Sequence, residues 1–138
     1  MNPLTIRKQI ELVNDSFERC ISHSNFFDRF YERFLGSSDE ISGKFHEVDF
    51  EKQNRALRDA FYLLFSAMVS EPDAWQQLEL RARRHSRNDL DIQPWMYAVW
   101  LDCLLETIRE FDPAIDAQTE AAWRDVMAIG IKFMIERY

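Results

Sequence analysis

Long stretches of this chain run without a residue that breaks a helix, and nothing in it punctuates a sheet. Across 138 residues there are only three glycines (Gly36, Gly43, Gly130) and four prolines, Thr and Val are scarce, and no β-type run is bounded by turn signals. An all-α fold is predicted. Ser37-Ser38-Asp39-Glu40 has the spacing of a capping box. Pro72, Pro94 and Pro113 each stand where a first-turn proline opens a helix, because the missing N–H is not needed there. These marks predict helices over 4–21, 24–35, 38–44, 49–69, 72–86, 94–111 and 115–137, in one domain spanning 1–138.

Composition narrows the function classes. The 14% aromatic content, with eleven Phe and four Trp, predicts a core rich in flat rings. A net charge of −7 speaks against a general nucleic-acid role, which needs clustered cations on a basic field. The longest apolar runs, such as Phe61-Tyr62-Leu63-Leu64-Phe65, fall far short of the roughly 20 residues that cross a bilayer. The first residues, Met1 to Lys8, carry no basic segment followed by an apolar run, so no leader is expected and the cytoplasm is the expected location. Cys20 and Cys103 sit inside helical apolar patterns and are read as buried thiols of a reducing compartment.

Helical positions spaced i, i+3, i+4, i+7 share a face, and three apolar faces each carry one polar residue. Tyr31 joins Phe27 and Phe34; Gln53 joins Leu57, Ala60, Phe61 and Leu64; His85 joins Leu78 and Ala82. A polar group on such a face has to be hydrogen-bonded, exposed at a helix end, or used by a ligand, since leaving it unpaired costs about 1–3 kcal/mol. Two further stripes, Tyr97-Leu101-Leu104-Leu105-Ile108-Phe111 and Trp123-Val126-Met127-Gly130-Met134, read as the floor of the core.

His85 ends the fifth helix within Arg83-Arg84-His85-Ser86-Arg87. There a neutral imidazole can offer one nitrogen to a metal and donate from the other to a backbone carbonyl or to Ser86. A catalytic zinc is disfavoured, because His23 and His46 show no paired ligand spacing with His85 and read as exposed. No nucleophile elbow supports a hydrolase, and no glycine-rich loop offers a seat for phosphate. Haem needs only one axial histidine and an apolar slot, since the porphyrin supplies four ligands. The basic segment holding Arg81, Arg83, Arg84 and Arg87 would suit its two carboxylates.

With these residues in hand, the chain resembles the globins over nearly its whole length: bacterial single-domain haemoglobins, flavohaemoglobin haem domains and the globin modules of haem-based sensors. Phe30-Tyr31-Glu32-Arg33-Phe34-Leu35 is similar to the family's second-helix segment, whose Tyr faces bound ligand, and Phe45 to the phenylalanine that packs on the porphyrin. Gln53-Asn54-Arg55-Ala56-Leu57 resembles the bacterial distal segment, placing Gln53 at the distal position and Leu57 one turn deeper. His85 falls where the proximal histidine is expected, with Ile92-x-Pro94-x-x-Tyr97 opening the next helix. Ala122-Trp123-Arg124 through Phe133-Met134 resembles the last helix.

The resemblance implies a globin fold of the 3-on-3 type and haem b (iron protoporphyrin IX) ligated by His85. It implies contacts from Phe45, Gln53, Leu57, Tyr31, Ile92, Tyr97, Leu101 and Arg84, and an open iron position for oxygen, nitric oxide or carbon monoxide. Reversible gas binding or sensing is the first expectation. A nitric-oxide dioxygenase working with an external reductase, a sensor with an external signalling partner, and a haem-free interaction module are the alternatives. There are departures. Asn54 replaces a proline common in bacterial relatives, Arg81 stands where an apolar haem contact is usual, and the loop from His85 to Tyr97 is two residues longer. Glu136 aligns with the helix-terminal Glu of flavohaemoglobins only after a shift of register. A wetter or rotated proximal side is expected.

Overall fold

Side-chain caps and prolines set where the helices begin. The computed structural model describes residues 3–69 and 71–138, arranged as α1 (Pro3–Ile21), α2 (Phe26–Gly36), α3 (Asp39–Lys44), α4 (Phe50–Met68), α5 (Pro72–His85), α6 (Pro94–Phe111) and α7 (Ala117–Glu136). Met1 and Asn2, where the segment without an expected leader begins, lie outside the described residues. Pro72 and Pro94 occupy the first turns of α5 and α6 as expected. Pro113 does not open α7; it sits in a turn, and Asp116 caps the helix by accepting from Thr119 N at 2.7 Å.

Two more boundaries differ from expectation. The cap of α3 is Ser38, which accepts from Glu40 N and Ile41 N, while Ser37 belongs to the end of α2 and donates to Phe34 O. The capping box is thus out of register by one residue. The second helix starts at Phe26, because backbone bonds from Ser22 N to Glu18 O and from Phe26 N to His23 O turn the chain between α1 and α2. Asp49 caps α4 through Glu51 N and Lys52 N, which sets the rotation of every side chain that follows on that helix.

The helices enclose one core. α1 packs on α7 and α6, α2 on α6 and α3, and α4 on α5. Phe17, at the centre, meets Phe27, Phe61, Tyr62, Phe65 and Trp123 edge-on, with ring centroids 5.0–6.3 Å apart. Such pairs add about 0.5–1.5 kcal/mol each beyond the area they bury. α7 also comes close to α4 at Gly130, where a Cβ would lie 2.9 Å from Leu64 Cδ2. Cys20 and Cys103 are buried free thiols. Among the described residues no helix is long and apolar enough to cross a membrane.

Among the described residues, one charged group is buried in the interior. Asp112 accepts from Ser16 Oγ (2.5 Å), from Arg19 Nε (2.6 Å) and Nη2 (3.0 Å), and from Ala114 N (2.9 Å). Trp123 Nε1 in turn donates to Ser16 Oγ at 2.9 Å, so α1, α7 and the end of α6 are tied together. Burial pushes the Asp112 carboxyl up, but Arg19, Ser16 and Ala114 outweigh it and hold it below the usual range. Asp112→Ala strands Arg19 and Ser16. The expected cost is about 3 kcal/mol, at the low end for a broken buried charge network because Arg19 is partly in solvent. Urea unfolding of the cofactor-free protein measures it; a loss below about 1 kcal/mol would show that the network is not a structural tie.

Candidate functional site

Between α2, α4, α5, α6 and α7 lies a cavity of about 440 Å³, within the range of small-molecule sites. Of the nine residues singled out in the sequence, Tyr31, Phe45, Gln53, Leu57, Arg84, His85, Ile92 and Tyr97 all line it. Leu101 does not; it is half-buried on α6 and packs against the core instead. The side of α6 that faces the cavity is Met96, Tyr97 and Trp100.

Each wall follows from its local sequence. Asp49 fixes the start of α4 so that Gln53, Ala56, Leu57, Ala60, Phe61 and Leu64 fall on one face, the apolar stripe of a 3.6-residue period. Phe45 ends α3 and stands in a ring cluster with Tyr31 and Phe34, each at 5.9 Å, and with Phe50 at 6.3 Å. Gln53 Nε2 donates to the Tyr31 hydroxyl at 3.1 Å. The phenol's own hydrogen therefore stays available to a third atom. Burial pushes the Tyr31 phenol up to about 12, with the Gln53 bond pulling the other way, so Tyr31 is a neutral donor at physiological pH.

His85 is the last residue of α5, and its Nδ1 donates to Arg81 O at 2.6 Å. A carbonyl can only accept, so Nδ1 carries the hydrogen and Nε2 keeps the lone pair. Of the two partners expected from the sequence, the backbone carbonyl is the one used; Ser86 Oγ donates to Arg83 O. Burial foremost keeps His85 below its ordinary value, the Arg81 bond opposes this, and the charges of Arg81 and Arg84 add to the lowering. Beyond α5, Ile92 N donates to His85 O at 2.9 Å and Asp91 N to Ser86 O at 2.8 Å, with Asp91 in the left-handed region at φ 53°. The loop after α5 is thus ordered by its own backbone. Lys44 Nζ donates to Leu90 O at 3.1 Å, and the Tyr138 hydroxyl donates to Asp91.

Several lining residues escaped the sequence reading. Lys44, Val48 and Leu90 lie at helix ends or in loops, where no period marks them, and Gly130 and Met134 were read only as core. Trp100 also lies on the wall, with its ring edge-on to Phe30 and Phe61. Burial lifts the Tyr97 phenol to about 12. Glu136 is exposed, paired with Lys132 at 3.7 Å, and does not line the cavity. His23 and His46 are exposed as expected. Among the described residues, no three His, Cys, Asp or Glu side chains gather as a metal site.

No protein-family model and no curated protein matches this chain. A solved structure does match. The crystal structure of a Pseudomonas aeruginosa protein, described as structurally highly homologous to a human hemoglobin, aligns with a TM-score of 0.89 at 38% identity, covering 94% of this chain and 98% of that one.

The lowered His85 value has a measurable sign in cofactor-free protein. The unfolded chain takes up the imidazole proton near the ordinary 6.5, whereas the folded chain takes it up only at lower pH. The His85 contribution is therefore fully present above pH 6.5 and declines as pH falls toward the folded value. Between about pH 7.5 and about pH 5.5, wild-type protein should lose more stability than His85→Gln in urea unfolding. Equal losses would place the dependence on another group.

Proposed function

The chain belongs to the globin family, and from that premise we propose that it binds haem b in this cavity through His85 and takes up a diatomic gas, oxygen foremost, for reversible binding or sensing. The observation that carries the reading is the meeting, in one cavity, of an imidazole with its Nδ1 hydrogen committed and a separate pair of donors, Tyr31 and Gln53.

The residues present fit the group. A porphyrin is a flat apolar ring, and Phe45, Leu57, Phe61, Ile92, Met96 and Trp100 give the cavity apolar and aromatic walls. It carries acidic side chains, and Lys44, Arg81 and Arg84 are the cations among the lining residues. It brings four ligands of its own, so one protein imidazole completes the attachment. When bound, haem supplies an iron with one position left for a gas molecule.

The rest is done by the chain's own side chains. His85 presents Nε2 as a lone-pair donor, and its burial keeps it neutral at the pH where it has to serve. Tyr31 is oriented by Gln53, and its hydroxyl hydrogen can be given to an atom that gains negative character.

The direct test is titration with haemin. Wild-type protein is expected to give a one-to-one complex with a Soret band and a raised melting temperature, because a ligand that binds only the native state stabilises it. His85→Ala should lose stoichiometric retention unless imidazole is added. An unchanged spectrum and gas affinity in that variant would overturn the axial assignment, and no uptake by wild type would favour a haem-free module.

On the donor side, Tyr31→Phe removes a hydrogen bond worth about 1.5–3 kcal/mol to a partly charged acceptor. Oxygen release from haem-loaded protein should then speed up by about ten- to a hundredfold. Carbon monoxide, which gathers less charge on its outer atom, should be released at nearly the wild-type rate. Gln53→Leu should show a smaller change of the same sign. Stopped-flow measurement decides it: an oxygen rate within about twofold of wild type would make Tyr31 plain core packing.

A further inference from the structure

Three cations line the cavity, and two of them are already occupied. Lys44 Nζ donates to Leu90 O at 3.1 Å and lies 3.9 Å from Asp91 Oδ2. Arg84 Nη1 is 3.3 Å from Asp89 Oδ2, and its side chain is 66% exposed, so water already solvates it. Arg81 differs. It is half-buried on the last turns of α5, and among the described residues its guanidinium has neither an ion pair nor a hydrogen bond; only its carbonyl is engaged, by His85.

A guanidinium drawn partly out of water without a counter-charge is costly, and arginine's planar fork is suited to a carboxylate. Arg81 sits one turn before His85, so its charge lies beside the same imidazole and disfavours protonation there. The other residues lining the cavity are largely apolar, Leu57, Leu78, Ile131 and Phe133 among them, and among the described lining residues none is an Asp or a Glu. The missing negative charge has to come with the ligand.

We propose that Arg81, rather than Arg84, pairs with a carboxylate of the bound tetrapyrrole and makes the site selective for tetrapyrroles with free acid side chains. The proposal rests on the haem reading above and names the group that orients the ring within the cavity. It also gives the departure at position 81 a role: a cation in place of an apolar contact exchanges packing for recognition of the acid.

The test compares haemin with its dimethyl ester, whose two acid groups are masked, on wild-type protein, Arg81→Leu, Arg81→Lys and Arg84→Ala. The measurement is the rate at which each tetrapyrrole is lost to an excess of a competing apo-globin acceptor. Arg81→Leu should release haemin about tenfold faster than wild type, the loss of one charge-assisted pair, yet release the ester at the wild-type rate. Arg81→Lys, which keeps helix propensity and charge, should still hold the acid form more tightly than the ester. Arg84→Ala should speed the loss of haemin less than Arg81→Leu does; an acceleration as large or larger would move the pairing to Arg84 and overturn the assignment. If Arg81→Leu speeds the loss of both forms alike, or of neither, the assignment is overturned while the haem reading stands. If wild-type protein takes up neither form, both fall.

Discussion

Protein interiors pack about as densely as organic crystals, so a void of about 440 Å³ beside the core has to be held open by what stands behind its walls. Here that support is aromatic. Phe61 and Trp100 line the cavity, and behind them Phe17, Phe30 and Trp123 meet them edge-on at 5.0–6.1 Å. A flexible aliphatic side chain in the same places would rotate into the space; a ring fixed by its neighbours cannot. Behind that layer, Trp123 is tied through Ser16 to the Asp112–Arg19 pair, so the charge network at one end of α6 bears on the cavity wall.

The tautomer of His85 is set by a backbone group of its own helix. Nδ1 donates to the carbonyl of Arg81, one turn back on α5, and this bond fixes which nitrogen carries the hydrogen. A free ring would divide its time between two tautomers and two orientations. One hydrogen bond in the last turn of α5 thus converts an ordinary helix-end histidine into an aimed donor.

Much of this was legible in the sequence because the informative residues lie on helices. Tyr31, Gln53 and His85 stood out as single polar interruptions of apolar faces, and each is found on the cavity wall. Where the reading failed, periodicity was shared or missing. Leu101 lies four residues after Tyr97 on the same sequence stripe, yet the cavity meets α6 along Met96, Tyr97 and Trp100, a helix rotation that no stripe reveals. Pro113 carried the helix-opening signal of Pro72 and Pro94, but Asp112 and Asp116 take the backbone N–H groups of Ala114 and Thr119 and delay the helix. Lys44 ends the six-residue α3, too short to show a period, and Val48 and Leu90 come from loops, whose course is set by tertiary contacts.

The bond from Lys44 to Leu90 O links two parts of the molecule that the chain itself keeps far apart. Lys44 is followed directly by Phe45, whose ring stands against Tyr31, and Leu90 belongs to the same loop as Ile92, whose N–H is held by His85 O. Mechanically, the donor side and the imidazole side are joined like the two jaws of a clamp by a short strut. Swinging the loop away from α5 requires either breaking that strut or dragging Phe45 with it. A displacement of the loop is therefore felt on both sides of the cavity together.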